Sequence, residues 1–245
     1  MRSDIIKDIR VRKQAVAQKN LLTNICYIYV LRLDFMWKLD TVTTVVIIAN
    51  VIASLKGFND FSFFEKYKFN IGGIRRGEQI RMLSSGFLHV DQKHLLFNMV
   101  TLFFFAGTVI NRVGSVNFLI VYFVSLIAGN LLSLYFNKDN YYYNAVGASG
   151  AVMGILYAAI LINPYLKINF IPGYIFGIGY LLYTIYGMKT RNDNIGHDAH
   201  FGGAIGGFLV TLILIPSLFE TRLYIISLLA LPIVILFVMR KTGNL

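Results

Sequence analysis

Residues 113–137 read VGSVNFLIVYFVSLIAGNLLSLYFN, 25 residues without one Asp, Glu, Lys or Arg. A hydrocarbon core about 30 Å thick is crossed by about 20 such residues in a helix, and lipid offers no water to satisfy open backbone groups. The stretch therefore predicts a transmembrane helix. Working outward, further charge-free runs occupy 41–55, 94–111, 140–166, 168–188, 199–219 and 223–239. Composition agrees: 56% of the 245 residues are hydrophobic and only 14% charged, where a soluble domain carries about 25%. Mean hydropathy is +0.63. Alternating barrel-type strands are absent, so the chain reads as an all-α polytopic membrane protein. Soluble, disordered and disulfide-scaffold classes are excluded, and the single cysteine, Cys26, rules out an intrachain disulfide.

The ends of the chain set its orientation. Residues 1–38 hold Arg2, Lys7, Arg10, Arg12, Lys13, Lys19, Arg32 and Lys38 against three aspartates, a cytoplasmic arm by the positive-inside rule. Leu21 to Leu33 can lie on the inner leaflet, with membrane lipid as partner. The net charge of +11 is thereby explained without a nucleic-acid partner. Division follows as a basic arm (1–38), a six-helix core (39–219), and a seventh helix with a short tail (220–245). That last helix leaves Arg240 and Lys241 outside, against the positive-inside rule. A loop at 56–88, with Phe58, Phe61, Phe63, Phe64, Tyr67 and Phe69 as interfacial aromatics, interrupts the otherwise short connections.

With the arm inside, spans two, four and six all begin on the extracytoplasmic side. Span two opens with His89, His94 and Asn98, span four with Gly147-Ala148-Ser149-Gly150, and span six with His197-Asp198-Ala199-His200. Polar residues inside spans are costly and mark functional sites, and Ser, His and Asn converging at one depth suit nucleophilic acyl transfer. Gly150/Gly154 on span four, with Gly202/Gly206 and Gly203/Gly207 on span six, let these helices approach closely. Taken alone, the glycines read as a packing or dimer motif.

Three motifs, HVDQKHLLFN (89–98), GASG (147–150) and AHFGG (199–203), resemble those of the rhomboid intramembrane serine proteases in order, span and facing. The resemblance covers roughly residues 40–215 and implies a rhomboid-like six-helix core. It implies a Ser–His dyad, Ser149 as nucleophile and His200 as general base, with His94 and Asn98 matching the oxyanion-binding pair. The expected activity is serine endopeptidase cleavage, in a cell membrane, of transmembrane proteins with a single span, at a site open to the extracytoplasmic side. No cofactor and no metal are required.

The residues support these roles physically. Histidine, with an ordinary pKa near 6.5, can take the serine proton and return it to the leaving amine. Ser149 and Gly150 stand at a helix N-terminus whose free N–H groups face developing negative charge, and His94 and Asn98, at i and i+4, share a helix face. Asp198, two residues from His200, does not share its face, so a dyad is the simpler reading. Met153, one turn after Ser149, is placed to pack on the imidazole ring. His89 and His197 read as structural or water-contacting.

Departures from the family pattern fall in the loop. Ile80-Arg81 stands where many relatives have Trp-Arg, and Ile110-Asn111 replaces an acidic residue at the end of span two. Two rival readings are weighed. A metal site from His89, His94, His197 and His200 lacks a carboxylate within the spans, and a catalytically inactive rhomboid-like protein that binds membrane clients would not need both Ser149 and His200.

Overall fold

The computed structural model describes residues 40–190, 193 and 195–245. The basic arm and its surface element lie outside the described residues. Asp40 opens the first helix, α1 (Thr41–Asn59), by accepting the Val42 N–H at 2.8 Å, which satisfies one orphan donor of the first turn. Its other oxygen takes the Ser115 hydroxyl at 3.1 Å.

Residues 60–88 form a compact unit of short elements: α2 (Phe61–Tyr67), β1 (Phe69–Asn70), α3 (Ile71–Arg75), α4 (Arg81–Ser84) and a 3-10 turn (Ser85–Phe87). Asp60 and Asn70 cap α2 and α3 through the N–H groups of Phe63 and Gly73. The unit is organised around Arg81, 9% exposed. Its guanidinium donates to the Glu65 carbonyl at 2.7 Å, the Lys68 carbonyl at 2.9 Å and the Glu78 carboxylate at 2.6 Å, a use of the planar fork that one ammonium could not reproduce. The arginine of Ile80-Arg81 thus keeps a structural task although the indole is absent. Of the expected interfacial aromatics, Phe61 is exposed, whereas Phe69 is fully buried with Ile71, Ile74 and Met82. It anchors the loop instead of facing lipid.

α5 (Gln92–Phe136) is two helical arms, 92–113 and 115–136, joined at Gly114. With φ +82° and ψ 165°, Gly114 occupies a conformation that a side chain would forbid. The chain reverses there, since His94 of the first arm and Asn130 of the second line one cavity. Next come β2 (Asn144–Ala145), paired antiparallel with β1 in the register Phe69↔Ala145, and α6 (Ser149–Ile162). α6 is shorter than the expected 140–166 stretch, because residues 140–148 form a turn and a strap bonded to the loop. Fourteen residues rise about 21 Å, less than the bilayer core. A hairpin of β3 (Lys167–Ile168) and β4 (Ile171–Pro172) leads into α7 (Gly173–Thr190), followed by α8 (His197–Leu214), the short α9 (Leu218–Thr221) and α10 (Leu223–Lys241).

α1, α5, α8 and α10 are long and apolar enough to cross a membrane, and α6 is a shorter apolar helix. α6 is nearly all buried: from Gly150 to Leu161 only Met153 is not. It sits at the centre, where glycines permit contact. An ideal Cβ at Gly203 would overlap the Gly150 carbonyl oxygen and lie 2.8 Å from the Gly150 Cα; one at Gly207 would lie 2.5 Å from the Gly154 carbonyl carbon. On the neighbouring face of α8, a Cβ at Gly202 would come 2.6 Å from the Ala128 carbonyl oxygen. The two interleaved GxxxG patterns therefore serve two partners: Gly203 and Gly207 face α6, while Gly202 and Gly206 face the second arm of α5. Such contacts stabilise helix pairs in lipid by dispersion.

α10 closes the bundle with Leu229 and Leu236 fully buried. Its last turn puts the Arg240 guanidinium over the rings of Tyr135 and Phe136, 5.7 and 5.2 Å from their centroids. The C-terminus of α10 therefore lies at the same end as the close of α5 and the start of α8. Cation–π contact with two rings gives this cation a local partner.

Candidate functional site

Three helix starts border one cavity of about 770 Å³, whose wall includes His94, Gly147, Ser149, Tyr180 and His200. His94 comes from the first turn of α5, which Asp91 caps by accepting the His94 N–H at 2.7 Å. Ser149 is the first residue of α6, whose cap position is Ala148, without a side-chain hydrogen bond to the first turn. The opening N–H groups of α6 are thus left free for an anion by helix geometry. His200 lies in the first turn of α8. Spans two, four and six do begin at one end of the bundle.

The strap before Ser149 is fixed by polar contacts. The Gly147 N–H donates to the Ser85 carbonyl at 3.0 Å, and Asn130 of α5 donates to the Met82 carbonyl at 2.7 Å. Gly147 has φ +131°, and a Cβ there would meet the His94 ring at 2.7 Å. Only glycine fits on both counts.

His89, fully buried, holds the strap from behind. Its Nε2 accepts the Ala148 N–H at 3.4 Å, so the ring proton sits on Nδ1 and is donated to Ser54 Oγ at 2.8 Å; that hydroxyl donates to the Phe87 carbonyl at 3.0 Å. The ring also packs edge-on against His94, centroids 5.0 Å apart. Desolvation pushes the His89 pKa down to about 3, with the neighbouring His94 acting in the same direction, so the ring stays neutral. Through these bonds His89 links α1 to the strap.

The other expected residues fall as follows. Asn98 is buried one turn below His94 and donates to the His94 carbonyl at 3.0 Å; it stands behind the cavity wall. Gly150 is buried against Ala199 and Gly203. Ser149 is half-buried, and its hydroxyl makes no hydrogen bond among the described residues, His200 included. His197 pairs with Asp193 at 3.0 Å, and Asp198 accepts from Asn137 at 2.5 Å and from Tyr143. Neither has a hydrogen bond to His200 among the described residues. Among the described residues no group of three or more His, Cys, Asp or Glu could hold a metal.

The ring partner expected from Met153 comes from elsewhere. Tyr180 of α7 meets the His200 ring end to end, centroids 6.3 Å apart and planes 28° from parallel, with its hydroxyl 2.9 Å from Nδ1. Met153 packs, half-buried, against both apolar clusters of the core. Sequence reasoning passed over Tyr180 because α7 carries aromatics on every side, and only their spacing, Phe176, Tyr180 and Tyr183, marks a face.

The sequence matches the Rhomboid domain family over residues 76–217. The chain belongs to the rhomboid family. Similar proteins include the rhomboid protease GluP of Bacillus subtilis, 33% identical over 136 residues, which are 55% of this chain and 26% of GluP. The YdcA protein of the same bacterium is 32% identical over 152 residues, 59% of this chain and 72% of YdcA. The mitochondrial presenilin-associated rhomboid-like protein of Homo sapiens is 35% identical over 135 residues, 51% of this chain and 35% of that protein. The chain thus matches about a quarter of GluP and a third of the human protein. Rhomboid membership and the apolar helices together make this a multi-pass membrane protein of helical fold.

Proposed function

We propose that this rhomboid-family chain is an intramembrane serine endopeptidase that cuts a peptide bond in or beside the membrane-spanning segment of another protein. The observation that carries the reading is the meeting of Ser149, His200 and His94, from three helices, around one cavity. Relatedness to a named rhomboid protease adds to it.

The chemistry follows from these groups. His200 Nε2 takes the Ser149 hydroxyl proton as Oγ attacks the scissile carbonyl carbon. The oxyanion so formed is met by the N–H groups of Ser149 and Gly150 and by His94, with Asn98 holding the His94 turn or adding its second amide hydrogen. Each such donor is worth about 10²–10³ in rate. The carbon–nitrogen bond breaks, His200 returns the proton to the leaving amine, and Oγ keeps the acyl group as an ester. Water, deprotonated by His200, attacks that ester; the carbon–Oγ bond breaks, His200 returns the proton to Oγ, and the acid is released. No cofactor enters any step.

A substrate helix has its scissile carbonyl tied into backbone hydrogen bonds. The substrates are therefore transmembrane proteins, single-span above all, whose helix unwinds readily near the end facing this cavity, with a small residue before the cut. The site opens to the extracytoplasmic side of the cell membrane. In detergent, purified protein should cleave a transmembrane reporter and label with a fluorophosphonate. Ser149→Ala should abolish both, and His200→Ala should abolish cleavage. A folded wild type that neither cleaves nor labels would favour a client-binding rhomboid-like protein instead.

A further inference from the structure

α7 presents a ladder of rings to α8. Phe176 stacks on Tyr180, with centroids 6.0 Å apart and planes 15° from parallel. Tyr180 reaches the edge of the His200 ring, and Tyr183 meets His197 edge-on at 5.3 Å. One turn further, Gly187 lies under His197, where any Cβ would run into the imidazole. Two successive turns of α8 therefore rest on two successive turns of α7, and the Tyr180 hydroxyl is held 2.9 Å from His200 Nδ1 by ring contacts on both sides of it.

That position has a chemical consequence. A histidine acting as base through Nε2 must carry its neutral-state proton on Nδ1. A free imidazole side chain in water prefers the opposite tautomer, and the proton's place is set by the partner of the other nitrogen. In serine proteases with a third residue a carboxylate does this. Here Asp198 is occupied by Asn137 and Tyr143, and Asp193 by His197. The group at His200 Nδ1 is a phenol, and Nε2 has no hydrogen-bond partner among the described residues.

We propose that Tyr180 is the positioning residue of the base: its hydroxyl oxygen accepts the Nδ1–H of His200, fixing the tautomer and ring plane that leave Nε2 free towards Ser149. The inference rests on the peptidase reading for its meaning, but the tautomer itself does not depend on activity. The phenol proton is free to point into the cavity, which Tyr180 also lines. Nothing is transferred to the phenol; it acts on the substrate only through His200.

The test separates the two claims. Full-length protein with ¹⁵N-labelled histidines, the His200 signals assigned with His200→Gln, reports by NMR in detergent which ring nitrogen carries the proton. Wild type should show His200 protonated on Nδ1, and Tyr180→Phe, which keeps the stacked ring, should move a large share of the proton to Nε2. Tyr183→Phe should leave it in place. With a reporter substrate, Tyr180→Phe should lower kcat roughly two- to tenfold, the size of one neutral hydrogen bond, at unchanged KM. A wild-type proton on Nε2, or a Tyr180→Phe variant with the wild-type tautomer, would overturn the proposal. Wild-type protein with the expected tautomer but no cleavage would instead count against the peptidase reading alone.

Discussion

Adding one methyl group at Gly203 should damage the protein more than its size suggests. An ideal Cβ there lies 2.8 Å from the Gly150 Cα and overlaps the Gly150 carbonyl oxygen, whereas carbon atoms rest about 3.5–4.0 Å apart. Both clashing atoms are backbone, so no side chain can swing aside. α6 and α8 must separate by about 1 Å, and they carry Ser149 and His200. Overpacking of this kind costs about 1–3 kcal/mol, and a displacement of about 1 Å between reacting groups costs about 10²-fold in rate. Gly203→Ala should therefore lower the detergent unfolding temperature and reduce reporter cleavage about a hundredfold. Gly179→Ala on α7, with nothing within 4 Å of the added Cβ, should change neither. Unfolding temperature and initial rate measured on the same preparations decide the matter. A Gly203→Ala variant matching Gly179→Ala in both would refute the claim that the glycine contact sets the spacing.

Four further outcomes are expected. Arg81→Lys keeps the charge but cannot serve two carbonyls and a carboxylate at once, so proteolysis within residues 65–88 should quicken, reflecting about 1–3 kcal/mol of lost local stability. His94→Ala should lower kcat about 10²–10³-fold with little change in unfolding temperature, whereas Asn98→Ala, whose amide also ties down the His94 carbonyl, should lower both. Because His89 titrates at about 3 when folded and near 6.5 when unfolded, the unfolded chain takes the proton first as pH falls. Stability should be fully present above about pH 6.5 and decline towards pH 3 by up to about 1.4 kcal/mol per pH unit from this group, a slope that His89→Gln should remove. On a Cys26→Ser background, single cysteines at 139 and 193 should react with an impermeant reagent from outside and one at Lys167 from inside; the reverse would invert the proposed orientation.

Much of the architecture was legible because its signals are local or periodic. Charge-free runs gave the helical segments, and alternation of facing then brought His94, Ser149 and His200 to one end without knowledge of any contact. The boundaries were harder. The run 140–166 is uniformly free of charge, yet only Ser149–Ile162 is helical, because Gly147 with its positive φ and the pairing of Asn144–Ala145 with Phe69–Asn70 take the preceding residues away from the helix. Hydropathy reports the solvent a residue prefers and does not report which backbone partner claims it. The same limit hid the task of Phe69, which looks like an interfacial aromatic and is the buried anchor of the loop.

The contacts that were not legible are those that hold the two sides of the cavity, and the two sides are held by different forces. Ser149 is positioned by buried polar bonds: Gly147 to Ser85, Ala148 to His89, and His89 to Ser54, the second joining residues 59 apart. Breaking one leaves a buried donor or acceptor without water, at a cost of about 1–3 kcal/mol each. His200 is positioned on its outer side by rings of α7, contacts worth about 0.5–1.5 kcal/mol each, and by one hydrogen bond at the cavity edge where water can replace it. A chain entering the cavity needs room for its backbone beside Ser149. That room costs less on the α7 side, where rings slide and a phenol can be resolvated, than on the loop side, where the Gly147 and Ala148 N–H groups would lose their bonds to Ser85 and His89. The sequence carries this asymmetry in its residue types, Ser85, Gly147, Ala148 and Ser149 on one side against Phe176, Tyr180, Tyr183 and Tyr186 on the other, and the pairing of Tyr180 with His200 puts the proposed base on the softer side.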